Sequence, residues 1–137
     1  MDFDNWGLVL RVFQTKWFAK FARREKIETA RLQAAAERAE QGHIDADLGG
    51  QLIKQRVARR GEGRSGGYRT LIAFHAPSRS VFLYGFAKNE KENISDDELD
   101  DLKKLTRLLL SYDDGQLDQA MAAKELVEVP YGDEDKI

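Results

Sequence analysis

The chain has 137 residues, which is enough to bury one hydrophobic core and short for a second independent domain. It contains no cysteine, so disulfides and thiolate metal sites are excluded, and a reducing compartment is compatible with the composition. Charged side chains interrupt the apolar residues throughout, and no apolar run approaches the roughly 20 residues needed to span a bilayer. The sequence therefore predicts a cytoplasmic protein without a membrane partner.

The net charge of -2 conceals a strong asymmetry along the chain. Residues 1–89 hold 16 Lys and Arg against 9 Asp and Glu, whereas residues 90–137 hold 6 against 15. Such an asymmetry is typical of proteins that bind nucleic acid through their basic part. For the acidic end, a solvated tail is the alternative interpretation.

The N-terminal third of the chain predicts one strand and two helices. Leu8–Phe13 is β-branched and aromatic, as expected of a strand, and Thr15 offers an N-cap to the amphipathic helix that follows. Glu28–Gln41 is rich in strong helix formers, and Gly42 ends it. We expect the two helices to pack as a hairpin against one sheet face. The apolar stripe of the first helix, interpreted as core, consists of Trp17, Phe18, Phe21 and Ala22.

The middle of the chain predicts three strands in an antiparallel meander. After a loop at His43–Gly50, strands are expected within Gln51–Ala58, Tyr68–His75 and Ser80–Ala87, joined by short connections. Gly85 lies inside the last strand and indicates a bulge or a close backbone approach.

Positive charge is concentrated on the first two of these strands and their connection. Residues 51–70 contain six Lys and Arg and a single acidic residue, Glu62. If Lys54 and Arg56 share a strand face, as a period of two requires, that face is not dry core. The alternation leaves open whether Ile53 or Gln55 changes faces. The segment is a candidate phosphate-binding surface, and the alternative is a flexible glycine-rich turn with solvated charges.

The C-terminal part predicts helices and an acidic end. Ser95 opens a helix with the S-x-x-E spacing of a capping box, and a leucine stripe follows. A break is expected at Asp113–Gly115, and a further helix at Gln116–Leu126. We expect a main unit at residues 1–111 and, within the same domain, a helical extension with an acidic tail at residues 112–137.

The order of these elements resembles that of the RelE/ParE superfamily of bacterial toxins. The resemblance rests on the motifs IKQR (Ile53–Arg56), SGGYR (Ser65–Arg69) and FAKNEKENISDDEL (Phe86–Leu99), and it is closer to the RelE/HigB branch than to ParE. It implies an α+β fold in which an N-terminal strand and a two-helix hairpin pack on an antiparallel meander, followed by C-terminal helices. It also implies a cofactor-independent mRNA interferase, which cleaves mRNA on the ribosome and is neutralised by an antitoxin encoded nearby.

The resemblance also implies which residues form the site. By motif matching, Lys54 and Arg56 occupy the basic pair of the second strand, Arg69 the arginine of the S-G-Y-R signature, and Lys88 the basic position after the last strand. RelE toxins usually carry a catalytic tyrosine shortly after that strand, and the residues around Ile94 provide none. The identity of the general acid or base therefore stays open.

The residue types fit metal-independent RNA cleavage. Attack of a 2′-hydroxyl on the adjacent phosphate needs a base, cations for the phosphorane and an acid for the 5′-oxygen. A lysine amine can act as base where neighbouring cations disfavour its charged form, and arginine binds phosphoryl oxygens through its fork. We expect Lys54 to be the base, Arg69 the phosphorane clamp, and Arg56 with Lys88 to bind flanking phosphates or the leaving oxygen. Glu90 is a rival base.

The remaining basic and aromatic residues of the segment are expected to assist RNA binding. Electrostatic contacts to RNA backbones are predicted for Arg59, Arg60 and Arg64. Tyr68 could stack on a base, and a core or rim position is the alternative.

Other functions are also considered. The two histidines, His43 and His75, lack metal-ligand spacing, so no metal site is predicted. The same fold could belong to a ParE-like inhibitor of DNA gyrase, or to a non-catalytic relative that binds RNA or an antitoxin.

Overall fold

The structure, a computed structural model, describes residues 10–59, 67–75, 79–88 and 94–130. It confirms the predicted α+β class. The elements in chain order are β1 (Arg11–Thr15), α1 (Lys16–Glu25), α2 (Thr29–Glu40), β2 (Ala46–Asp47), β3 (Leu52–Val57), β4 (Tyr68–His75), β5 (Arg79–Ala87), α3 (Asp96–Ser111), α4 (Asp114–Ala122) and β6 (Leu126–Glu128).

One mixed sheet of six strands has the order β2-β3-β4-β5-β1-β6. The antiparallel meander of β3, β4 and β5 is confirmed, and β1 lies parallel to β5. Of the predicted first strand, Leu8 and Val9 lie outside the described residues. Among the described residues the strand begins at Arg11 and continues to Thr15, whose Oγ1 accepts a hydrogen bond from the Phe18 N–H at 3.1 Å. Strand and helix are thus directly joined at the predicted N-cap.

The helix hairpin covers one face of the sheet. Its main apolar contacts come from Phe18 and Phe21 of α1 and Leu32 of α2, all at most 2% exposed. The prediction for Trp17 is wrong, because this side chain is 45% exposed and stacks on Tyr84 of β5 instead of entering the core. Trp17 lies in the first turn of α1, directly after β1. Its ring therefore reaches Tyr84, in the part of β5 that follows the pairing with β1.

Helices α3 and α4 pack on the opposite sheet face. Leu109 and Leu117 share a core there with Phe13 and Leu71, and the capping box of Ser95 is confirmed. The break in helical structure expected at Asp113–Gly115 coincides with the N-cap of α4. There, Asp113 Oδ1 accepts from the Gln116 N–H at 2.8 Å, and the Asp113 N–H donates to Gln116 Oε1 at 2.9 Å.

The predicted last helix is shorter than expected because the chain returns to the sheet. Helix α4 ends at Ala122, and Leu126, predicted to be helical, begins a strand that pairs antiparallel with β1. Its side chain is 3% exposed in the same core as Phe13. Burial of this leucine beside β1 therefore outweighs the helical pattern of the preceding residues.

A β-bulge in β5 changes which residues share a face. Leu71 pairs with Tyr84 and Ile72 with Phe82, so Leu83 has no direct partner on β4. Gly85 is not the bulge, but it is the predicted close approach. A Cβ at this position would lie 2.7 Å from Cε2 of Phe21. The glycine lets α1 pack against the sheet immediately after the bulge.

Candidate nucleic-acid interface

The predicted basic residues of β3 and β4 lie on the sheet face opposite the helix hairpin, at the end away from the C-terminus of α3. Directly paired residues of neighbouring antiparallel strands point to the same side, with Cβ atoms about 4.5–5.5 Å apart. The register therefore forms two adjacent rows across β3, β4 and β5 on this face. They are Lys54, Leu71 and Tyr84, and next to them Arg56, Arg69 and Phe86.

Lys88 extends this arrangement beyond the end of β5. Its N–H donates to the Gly67 carbonyl at 3.5 Å, and alternation from Phe86 places it on the same face as Arg69. Gly67 is needed for close backbone packing, because a Cβ there would lie 2.8 Å from the Arg59 nitrogen. The structure thus brings together all four residues that the motifs singled out.

A buried glutamine fixes the strand that carries Lys54 and Arg56. Gln55 points to the helix side, is fully buried, and donates to the carbonyls of Ala35 and His43 at 3.1 and 3.2 Å. Its Oε1 accepts from the Asp45 N–H at 2.7 Å. Because all these bonds are internal, Gln55 ties β3 to α2 and to the preceding loop. This settles the face that the sequence left open.

The backbone of Arg56 is held independently of its side chain. Its N–H donates to Asp45 Oδ2 at 2.8 Å, and its carbonyl accepts from Arg38 Nη2 at 2.6 Å. Asp45 Oδ2 therefore binds the backbone of Arg56 and lies 3.9 Å from Nη1 of Arg38. The Arg56 side chain itself is exposed.

Three basic side chains of this surface have no acidic partner in the part of the chain that the structure describes. Lys54, Arg56 and Lys88 form no ion pair there, since the ion pairs found involve other residues. Arg69 is half-buried between Arg56 and Phe86. Adjacent cations repel one another, so the arrangement favours a bound polyanion.

An aromatic group lies beside the cations, and sequence analysis missed it. Tyr84 is half-buried, stacks on Trp17 with ring centroids 4.6 Å apart, and lies 6.1 Å from the Phe86 ring. Without the bulge at Leu83, alternation from Phe82 would place Tyr84 on the helix side. Gly85 indicated a bulge or a close approach but not the residue at which the alternation shifts, so the pattern did not reveal the group.

The structure corrects the role predicted for Tyr68 and places Arg59 beside it. Tyr68 faces the helix hairpin, is 2% exposed, and donates from its hydroxyl to Glu25 Oε1 at 3.0 Å. The prediction that it stacks on a base is therefore wrong, and the core alternative holds. Arg59 lies over the Tyr68 ring at 5.7 Å, so it does not share a face with Lys54. The other predicted residues, Arg60, Arg64 and Glu90, lie outside the described residues.

One known family matches the chain over most of its length. The family model of the RelE toxin of the RelE/RelB toxin–antitoxin system matches residues 10–129. The chain belongs to the RelE toxin family. The resemblance inferred from the motifs is thereby confirmed, and the match continues past the expected unit boundary at residue 111 into α4 and β6.

A search of the curated proteins finds no match to the chain. Across the described residues, no helix is both long enough and apolar enough to cross a membrane. Toxins of the RelE family are generally ribonucleases, and membership implies an antitoxin partner.

Proposed function

We propose that this RelE-type toxin is a ribosome-dependent mRNA endonuclease of the HigB-like kind, which arrests growth by inhibiting translation in the cytoplasm. The observation that carries the proposal is the strand register, which sets Lys54, Arg56 and Arg69 side by side on one rigid face with Lys88 at its end. Side chains on paired strands are held more precisely than side chains on loops, and catalysis requires that precision.

The proposed reaction is an internal transesterification. The 2′-oxygen forms a bond to the adjacent phosphorus as the bond to the 5′-oxygen breaks, leaving a 2′,3′-cyclic phosphate and a 5′-hydroxyl. Lys54 accepts the 2′-hydroxyl proton, and Arg69 binds the charged oxygens of the phosphorane. Arg56 and Lys88 bind flanking phosphates. One of the basic side chains of this face donates a proton to the leaving 5′-oxygen.

Tyr84 is an additional candidate for this chemistry. It lies in the same row as Lys54, separated from it by Leu71. Its phenol can donate a proton or accept a hydrogen bond, and its ring can stack on a base. Tyr84→Phe and Tyr84→Ala separate these roles: loss of cleavage in both indicates proton transfer, whereas loss in Tyr84→Ala alone indicates stacking.

The proposed activity is tested by mapping mRNA ends in a cell-free translation reaction. Wild-type toxin should cleave mRNA only on ribosomes, and Lys54→Ala and Arg69→Ala should each slow cleavage by about 100-fold or more. Lys104→Ala, at an exposed position of α3, is the control. Unchanged cleavage in both site variants would refute the assigned roles.

Assays of gyrase-dependent DNA breakage and of binding, run beside mRNA mapping, distinguish the alternative functions. Gyrase-dependent DNA breakage without mRNA cleavage would identify a ParE-like inhibitor. If neither activity appears and RNA or the antitoxin still binds, the chain is a non-catalytic relative. In each of these outcomes the endonuclease proposal fails.

A further inference from the structure

Among the described residues, a strand covers the outer edge of β3 over only part of its length. Strand β2 pairs with Ile53 and Lys54, and Arg56 lies two residues beyond this pairing. The Arg56 N–H and carbonyl nevertheless both bind side chains, Asp45 Oδ2 at 2.8 Å and Arg38 Nη2 at 2.6 Å. These are the backbone groups that a neighbouring strand would bind, so the two side chains take the place of a longer β2.

We call Arg38 and Asp45 the edge pair. Its two side chains are only 21% and 27% exposed, so solvent screens their attraction less than that of a surface ion pair. Both are anchored behind the sheet, because Arg38 belongs to α2 and the Asp45 N–H donates to Oε1 of the buried Gln55 at 2.7 Å. The edge pair therefore ties the end of β3 to the helix hairpin.

The direction of these bonds also determines how Arg56 faces Arg69. Because both backbone groups of Arg56 point away from β4, Arg56 and Arg69 form a non-hydrogen-bonded pair. In such a pair the Cα atoms are about 4.5 Å apart, and the side chains are closer than in a hydrogen-bonded pair. Like charges directly opposite each other are destabilising, which favours movement of the end of β3 away from β4. The edge pair opposes that movement.

We propose that Arg38 and Asp45 are positioning residues for RNA cleavage, which hold Arg56 beside Arg69 before the substrate binds. The inference rests on the endonuclease activity in the proposed function and deepens it. Both residues reach Arg56 from the outer edge of β3, so they act on the reaction through its backbone. Cations that are already in place need not reorganise when charge develops on the phosphorane. The edge pair therefore contributes to the rate of cleavage more than to RNA binding.

The test measures single-turnover cleavage of mRNA on ribosomes over a range of toxin concentrations, which separates the maximal rate from the half-saturating concentration. Asp45→Ala and Arg38→Met should each lower the maximal rate about tenfold and change the half-saturating concentration less than about twofold. Asp45→Asn keeps an oxygen that can accept from the Arg56 N–H, and should recover most of the lost rate. Arg31→Met removes another ion-paired arginine of α2 and, as the matched control, should cleave at the wild-type rate.

A double-mutant cycle shows whether the edge pair acts through Arg56. In an Arg56→Ala toxin no side chain remains to be positioned, so the addition of Asp45→Ala should change the maximal rate less than about twofold. A merely structural role would lower the rate by the same factor in both backgrounds. That result would overturn the inference, as would cleavage at the wild-type rate by Asp45→Ala.

Hydrogen exchange of the Arg56 amide, followed by NMR, reports on the edge pair independently of cleavage. Asp45→Ala should accelerate this exchange about tenfold or more, whereas Arg31→Met should leave it unchanged. If Asp45→Ala does not fold, Arg38→Met and Asp45→Asn decide: equal maximal rates of Arg38→Met and wild type would overturn the inference.

The same measurements keep this inference distinct from the proposed function. Absence of ribosome-dependent cleavage by the wild-type toxin would refute the proposed function, and the positioning role with it. If the wild-type toxin cleaves and the variants of the edge pair cleave equally fast, only the positioning role is refuted.

Discussion

The two ends of the sheet face opposite the helix hairpin use arginine in different ways. At one end, Arg79 donates to the carbonyls of Leu109 and Tyr112 at 3.1 and 2.8 Å, where α3 ends. Burial lowers the pKa of Arg79, and the contact places a cation at the negative end of a helix. At the other end, Arg69 lies next to Arg56 and among further cations. We call these the covered end and the basic end.

This difference separates structural from functional charge. A cation at a helix C-terminus stabilises the fold, so the position of Arg79 needs no external partner. Like charges on paired strands destabilise it, and a polyanionic ligand such as the proposed RNA substrate would offset the repulsion between Arg56 and Arg69 at the basic end. Substitutions at the two ends should therefore change different properties.

The largest expected effect is on cleavage by variants of Arg69. Arg69→Lys keeps the charge but loses the bidentate fork, and should slow cleavage about 10–100-fold, while Arg69→Ala should slow it about 100–1000-fold. Single-turnover cleavage on ribosomes provides the measurement, with Arg107→Lys on the exposed side of α3 as control. Equal rates for Arg69→Lys and wild type would show that only charge matters at the basic end.

The next largest effect is expected at Gly85, which supports the basic end from behind. In Gly85→Ala the added methyl group meets Phe21 and Phe18, at 2.7 and 3.1 Å. Displacement of these rings should lower the free energy of unfolding by about 1–3 kcal/mol. Urea denaturation measures the change, and Gly115→Ala, whose added Cβ has its nearest neighbour, Asp113 Oδ1, at 3.4 Å and whose φ is not left-handed, is the comparison for a methyl group added without overlap. Equal stability of the Gly85 variant and wild type would contradict the close packing.

Sequence reasoning found those site residues whose position depends on strands and motifs. Lys54, Arg56 and Arg69 lie in short motifs within regular strands, so their order along the chain predicted a common face. It missed Tyr84 because the bulge at Leu83 shifts the alternation by one residue. For Tyr68 both base stacking and a core position stayed open, because strand alternation does not say which face the helices cover.

The short strands were missed for a different reason. β2 has two residues and β6 three, which is too short for a period of two to appear. Their formation depends on partners distant in sequence, since β6 pairs with β1 across more than one hundred positions. The predicted helix over Gln116–Leu126 was therefore correct only in its first part.

A moderate effect on stability is expected at the covered end. Arg79→Met removes a charged donor from the last carbonyls of α3 and should lower the free energy of unfolding by about 1–2 kcal/mol. Thermal unfolding should show a decrease in Tm of at most roughly 4–8 °C. Cleavage per folded molecule should be unchanged. A large loss of cleavage in a stable Arg79→Met toxin would erase the distinction between the two ends.

The smallest effect is expected at Trp17, which borders the basic end without adding charge. Its ring is 45% exposed and stacks on Tyr84, so it can extend an aromatic surface for an unpaired base. Trp17→Ala should weaken binding of single-stranded RNA by about 1 kcal/mol, or roughly fivefold, with no change in the salt dependence, because stacking does not release counterions. Trp17→Phe should recover most of this affinity. Fluorescence anisotropy with a short labelled RNA makes the measurement, and Val127→Ala, another exposed apolar residue on the edge strand β6, is the control. If Trp17→Ala and Val127→Ala bind RNA equally well, the aromatic group packs against the basic end without contacting RNA, and the cations alone bind the polyanion.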